Sequence, residues 1–142
     1  MKKFDQGLLD RNDNIARICC KYIAEKNGFK AIDNPDKFGA DIIAEKNGDK
    51  YYFEGEIKIN WTGKFTFPTV HIPDRKAKYL DEHANIMFVV ISGDYASAML
   101  VPGSAVRKSP LVEVNNIYNV DGEYFYDVPV DKCKLYKLID MV

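Results

Sequence analysis

No stretch of this chain comes close to the apolar length that crosses a bilayer. The N-terminal Met1-Lys2-Lys3-Phe4-Asp5 lacks the apolar core of a secretory leader. Cysteine is scarce. Three residues, with Cys19 and Cys20 adjacent, make a poor disulfide framework and point to a reduced, cytoplasmic protein. A surplus of either charge is also missing. Twenty basic residues against 21 acidic ones leave a net of −1, so any surface that grips a polyanion is local. There is no internal repeat, low-complexity tract or domain linker, and 142 residues suit a single domain over 1–142. What is present is core material. The chain is 46% hydrophobic and only 29% charged, which excludes a disordered segment. Its nine Tyr and eight Phe suit strands and dense packing.

Periodicity predicts a helix from position 5 or 10 to 27, with Ile15, Ile18, Cys19, Tyr22 and Ile23 as its apolar stripe and Gly28 as its stop. Asn34-Pro35-Asp36 reads as a loop. Two strands follow, 40–45 and 50–59, joined by Asn47-Gly48-Asp49. Alternation puts Tyr52, Glu54, Glu56 and Lys58 on one face of the second strand, and Tyr51, Phe53, Gly55, Ile57 and Ile59 on the other. The aromatic, Thr-rich segment 61–70 reads as a loop or irregular strand. Pro73 and Asp74 open a second helix through about 83. The apolar run 86–92 is a central strand buried on both faces. Beyond it the pattern predicts a strand at 97–101, a short helix at 102–108, a hairpin turning at Asp121-Gly122, and a weak last strand at 133–139. The order is that of an α/β domain with a mixed sheet flanked by helices.

The chemistry gathers on the paired strands. Asp41 opens the first, and Glu56-Ile57-Lys58 lies on the second, so pairing brings Asp41 towards Glu56 and Lys58. Two carboxylates can hold a hard divalent cation, and a lysine beside it can orient or activate water. That combination suits hydrolysis of a phosphodiester. A second acid-x-lysine, Asp74-Arg75-Lys76, falls at a helix start, where its charges cap the helix. The plainer alternative is a surface hairpin whose Glu54, Glu56 and Lys58 form cross-strand salt bridges.

Residues 38–58, behind an amphipathic helix that ends at Gly28-Phe29, resemble the PD-(D/E)XK nuclease superfamily. The resemblance implies a restriction-endonuclease-like αβββαβ core over roughly residues 10–101. It implies Asp41 as first metal-binding acid, Glu56 as second, Lys58 as the lysine, and the Ile57 carbonyl as a further ligand. It also implies Mg²⁺ or Mn²⁺ as cofactor, DNA as substrate, and a homodimer where two strands are cut. The chain departs from the pattern at Ala40, which stands where a proline is expected; Pro35-Asp36 lies in a loop instead. Many relatives carry a further acid on the first helix. Here the apolar face leads back to Arg11 and Asn12, with Asp13 nearly opposite, so that acid is absent or supplied by Glu54, and one metal ion is expected.

Other residues have two uses each. Arg75 and Lys76 reach phosphates or remain solvated helix charges, as do Lys64 and Lys78. His71 is a structural residue or approaches the site. Trp61, Phe65 and Phe67 pack as a covering loop or stack on unpaired bases. Two further functions compete with the nuclease: a catalytically inactive nuclease fold that binds DNA or assembles with partners, and an unrelated α/β interaction module.

Overall fold

The computed structural model describes residues 6–116 and 119–138. In chain order these form α1 (Gln6–Lys26), β1 (Lys30–Asp33), β2 (Ile42–Lys46), β3 (Asp49–Lys58), β4 (Thr69–Pro73) and α2 (Ala77–Glu82). Then come β5 (Ile86–Ser92), β6 (Ser97–Pro102), α3 (Gly103–Arg107), β7 (Leu111–Asn116), β8 (Asn119–Pro129) and β9 (Lys134–Lys137). The strands build a mixed six-stranded sheet, ordered β1-β2-β3-β5-β6-β9, and a three-stranded sheet, β4-β8-β7. Only β3 and β5 pair in parallel within the larger sheet; β4 and α2 lie in the crossover between them. The expected α/β fold with a mixed, helix-flanked sheet is present. Among the described residues no helix is long and apolar enough to cross a membrane.

β2 and β3 are joined by Asn47 and Gly48, both at positive φ, 54° and 83°. Such a two-residue turn matches the twist of the strands it connects. It sets Lys46 opposite Asp49 and carries the register back to Ile42 opposite Phe53.

The large sheet has a core on each face. On one side α1 covers Ile42, Ala44, Phe53, Val89 and Ile91. On the other, Phe88, Val90, Met99 and Val101 pack with Trp61, Ile72, Tyr79, Val106 and Val128 from the loop, the helices and the small sheet. Full burial of one such side chain, Phe53 for example, contributes about 1.5–3 kcal/mol. β5 is buried along both faces, as its unbroken apolar run requires.

α1 touches the sheet through Ala16, Cys19, Cys20, Ile23 and Ala24. Ile18, expected in the stripe, is 45% exposed. The cause is Gly55. A Cβ there would sit 3.0 Å from the Ala16 Cβ and 3.1 Å from the Cys20 Sγ. With no side chain on the strand, the helix settles onto its small residues and the contact line turns away from Ile18. The helix already runs from Gln6, so Asp10 lies inside it rather than capping it. Gly28, at φ 82°, ends it as expected.

Further expectations shift. β1 is a four-residue strand, mostly exposed, with no apolar alternation to announce it. β4 lies at the end of the segment read as a covering loop. The second helix begins as a 3-10 turn, Asp74–Lys76, before α2. Asp121-Gly122 does not form the expected hairpin turn: Asn116 pairs with Asn119, which leaves both residues inside β8. β9 fills most of the predicted last strand; Ile139 lies outside the described residues.

Candidate active site

β3 carries its charges on the face turned away from α1. Phe53 and Gly55 meet the helix, while Glu54, Glu56 and Lys58 point towards the turn before α2. The predicted alternation holds, but register changes the pairing. Ile42 stands opposite Phe53, so the preceding residue, Asp41, comes level with Glu54 rather than Glu56. Its Oδ2 accepts the Gly55 N–H at 2.8 Å. The loop before it is tied down too: Asn34 donates from Nδ2 to the Ala40 carbonyl at 2.8 Å, and Asp36 accepts the Phe38 N–H. Asp36 is thus occupied in a turn.

The register sets the Asp41 and Glu54 carboxyl groups side by side, close enough for each to act on the other's protonation. Glu54 is only 7% exposed, and burial is the main force raising its pKa to about 7; the charge on Asp41 adds to it. Asp41 is raised as well, again chiefly by burial, with the Gly55 N–H acting in the opposite direction. Cations offset this cost. Lys76 Nζ lies 2.6 Å from Glu54 Oε2, with little of either side chain exposed. Tyr79 adjoins the pair from α2, and burial together with the charge on Glu54 pushes its hydroxyl up. From α1 it is Arg17, not an acid, whose charge acts on Asp41; Asp13 is exposed.

Glu56 keeps different company. Its Oε1 is 3.7 Å from Lys58 Nζ and 3.3 Å from Arg75 Nη2. Lys58 Nζ also sits over the Phe125 ring, 5.4 Å from its centroid. Burial lowers the Lys58 pKa, with Glu56 opposing. The expected trio of Asp41, Glu56 and Lys58 therefore shares one strand face as two adjoining groups: Asp41 with Glu54 and Lys76, then Glu56 with Lys58 and Arg75. Arg75 and Lys76, expected as phosphate contacts, both reach carboxylates; Arg75 stays exposed while Lys76 is largely covered.

Sequence reasoning offered Glu54 only as a substitute for the missing helix acid or as a salt-bridge partner, not as the acid beside Asp41. The signal was Asn47-Gly48. Counted as a complete two-residue turn, it puts Asp41 opposite Glu54; counting Asp49 into the loop displaces the pairing by one. Lys76 and Tyr79 carried no such signal, because a crossover brings them in.

Two adjoining carboxyl groups, one of them with a raised pKa, are a fitting donor set for a small hard cation, which favours the ionised form of both. Among the described residues no group of three or more His, Cys, Asp or Glu could enclose a metal.

Trp61, Phe65 and Phe67 follow directly on β3. Trp61 is buried, its N–H donates to the Gly63 carbonyl at 3.1 Å, and Phe65 meets it edge-on. The packed-loop use is thus realised for Trp61, while Phe67 is 69% exposed. His71 is held by Asp127 at 3.1 Å on the neighbouring strand β8. None of the three cysteines is in a disulfide; Cys19 and Cys20 are core residues, and burial raises both thiols, Cys19 to about 11. The chain matches no family model and no curated protein.

Proposed function

We propose that this protein is a metal-dependent nuclease that hydrolyses phosphodiester bonds in DNA. The observation that carries the reading is the Asp41–Glu54 carboxyl pair, with Glu54 buried and Asp41 half-buried, set beside Glu56 and Lys58 on one strand face. Element order supports it: a helix, three antiparallel strands, a crossover with a helix, and a strand parallel to the third. This is the order that resemblance to the PD-(D/E)XK superfamily implies for a restriction-endonuclease-like core.

Asp41 and Glu54 would hold Mg²⁺ or Mn²⁺, with Glu56 and the Ile57 carbonyl next along the strand. When bound, the cation supplies charge stabilisation at the phosphate and acidifies water. Glu54 gives up its proton on the way to that state. Lys58, with its pKa lowered by burial, orients the attacking water and can pass a proton. Arg75, exposed at the rim, meets phosphate oxygens. A homodimer would cut both strands of a duplex.

One observation favours a second reading, an inactive nuclease fold that binds DNA or assembles. Lys76 already neutralises Glu54, and no buried side-chain polar atom among the described residues lacks a partner. Incubation with single-stranded, duplex and branched DNA in Mg²⁺ or Mn²⁺ separates the two. Cleavage abolished by Glu54→Gln and by Lys58→Ala supports the nuclease. Cleavage that survives both variants refutes the site, and no cleavage with any substrate favours the inactive fold.

A further inference from the structure

A pocket of about 490 Å³ opens beside Lys58, where β3 ends. Its walls come from the segment 58–71, which runs from β3 through the aromatic loop into β4. The volume is that of a pocket for one small organic group. Trp61, Phe65 and Phe67 make a connected aromatic wall, with Trp61–Phe65 centroids 5.1 Å apart and Phe65–Phe67 centroids 5.8 Å apart. Among the described residues the charged side chains on its lining are Lys58 and Lys64, with no carboxylate. In a chain of net charge −1 that bias is local.

The wall is anchored from two sides. The Trp61 backbone N–H donates to the Lys58 carbonyl at 3.0 Å, its indole N–H to the Gly63 carbonyl, and the Gly93 N–H donates to the Trp61 carbonyl at 2.7 Å. The Gly63 N–H donates to Asp94 at 3.0 Å beyond β5. On the far side, His71 is fixed by Asp127 and stacks on Phe125, the ring that also lies under Lys58. Trp61 is therefore held as a floor. Phe67, spending most of its surface in solvent, is the ring left free to cover an incoming one.

We infer that this pocket takes an unpaired nucleobase of a DNA strand, stacked against Phe67 and Phe65, with the adjoining phosphates on Lys64 and Lys58. A flat π-face suits the aromatic wall whatever the base, and two ammonium groups, Lys64 and the Glu56-paired Lys58, suit the backbone that comes with it. Lys58 belongs to both the pocket and the charged strand face, so a base seated here sets its own phosphate beside Glu56. Resting on the nuclease reading, this gives the substrate its class: DNA with single-stranded, frayed or branched ends rather than intact duplex.

The chain's one tryptophan is Trp61, so its fluorescence reports on this pocket alone. The test titrates the full chain, with chelator present, with a short oligothymidylate and with a blunt duplex of the same length. Single strand should quench Trp61 and bind more tightly than duplex. Phe67→Ala, at an exposed position, should weaken that binding about 5- to 100-fold, the range for one lost stacking contact. Lys64→Gln should weaken it and flatten its salt dependence. Leu135→Ala, exposed on β9, serves as the control. Equal binding of both DNAs without quenching, or a Phe67→Ala effect under about twofold, overturns the proposal. So does a chain that ignores DNA but dimerises through Phe67. Repeating the samples in Mg²⁺ separates the two readings: quenching without cleavage keeps the pocket and sinks the nuclease, and cleavage without quenching does the reverse.

Discussion

Asp41 and Glu54 face each other across the β2–β3 pair, and the charge on Asp41 helps to raise the pKa of Glu54. Burial would make two such charges costly, and three features answer that cost: the proton that Glu54 keeps to about pH 7, the Lys76 ammonium, and the Gly55 N–H.

The first prediction concerns pH. Folded, Glu54 keeps its proton to about pH 7; its ordinary value is 4.5. Between these values the folded chain binds more protons than the unfolded one, so stability falls as pH rises through the window. The loss from this group should reach about 3 kcal/mol at most. Urea denaturation at pH 5, 6, 7 and 8 should show the decline, and Glu54→Gln should flatten it. A stability that instead rises across the window contradicts the assigned environment.

Metal should reverse that trend. Because Glu54 must lose its proton to bind, Mg²⁺ should raise the melting temperature more at pH 8 than at pH 6. At a hundredfold excess over Kd the stabilisation is about 2.7 kcal/mol. Chelator should remove it, and neither Asp41→Asn nor Glu54→Gln should show it. Differential scanning calorimetry measures each case.

The two lysines should separate cleanly. Lys58→Ala should lower cleavage about 10²- to 10⁴-fold, as expected for loss of a group that handles a proton, with little change in melting temperature. Lys76→Ala strips the buried Glu54 of its cation and should cost about 3–5 kcal/mol at pH 8. At pH 5, where Glu54 is protonated, that cost should shrink. Equal pH-independent losses for both variants would show that the pairing is misassigned.

Gly55 is a packing prediction. Its added Cβ would meet Ala16 and Cys20 at 3.0 and 3.1 Å, so Gly55→Ala should destabilise by about 1–3 kcal/mol in denaturant titrations. Ala16→Gly in the same chain should restore part of the loss.

Much of this architecture was legible along the chain. The long helix, the Asn47-Gly48 hairpin, the doubly buried β5 and the charged face of β3 all follow from local periodicity and turn chemistry. β1 and β4 were not, since both are short and neither carries an alternating pattern that stands out from a loop. Asp121-Gly122 looked like a turn but falls within β8, because pairing of β7 with β8 places the reversal before it.

The candidate site divides the same way. Alternation along β3 by itself determines that Glu54, Glu56 and Lys58 share a face, since side chains reverse at every residue. It cannot decide which acid Asp41 meets, because Glu54 and Glu56 lie two residues apart and project alike. The register set by the Asn47-Gly48 turn chooses Glu54, and only the crossover brings Lys76 and Tyr79 onto it. A side chain's face is a property of its own strand, whereas its partner and its pKa depend on burial and charge brought from segments distant in sequence.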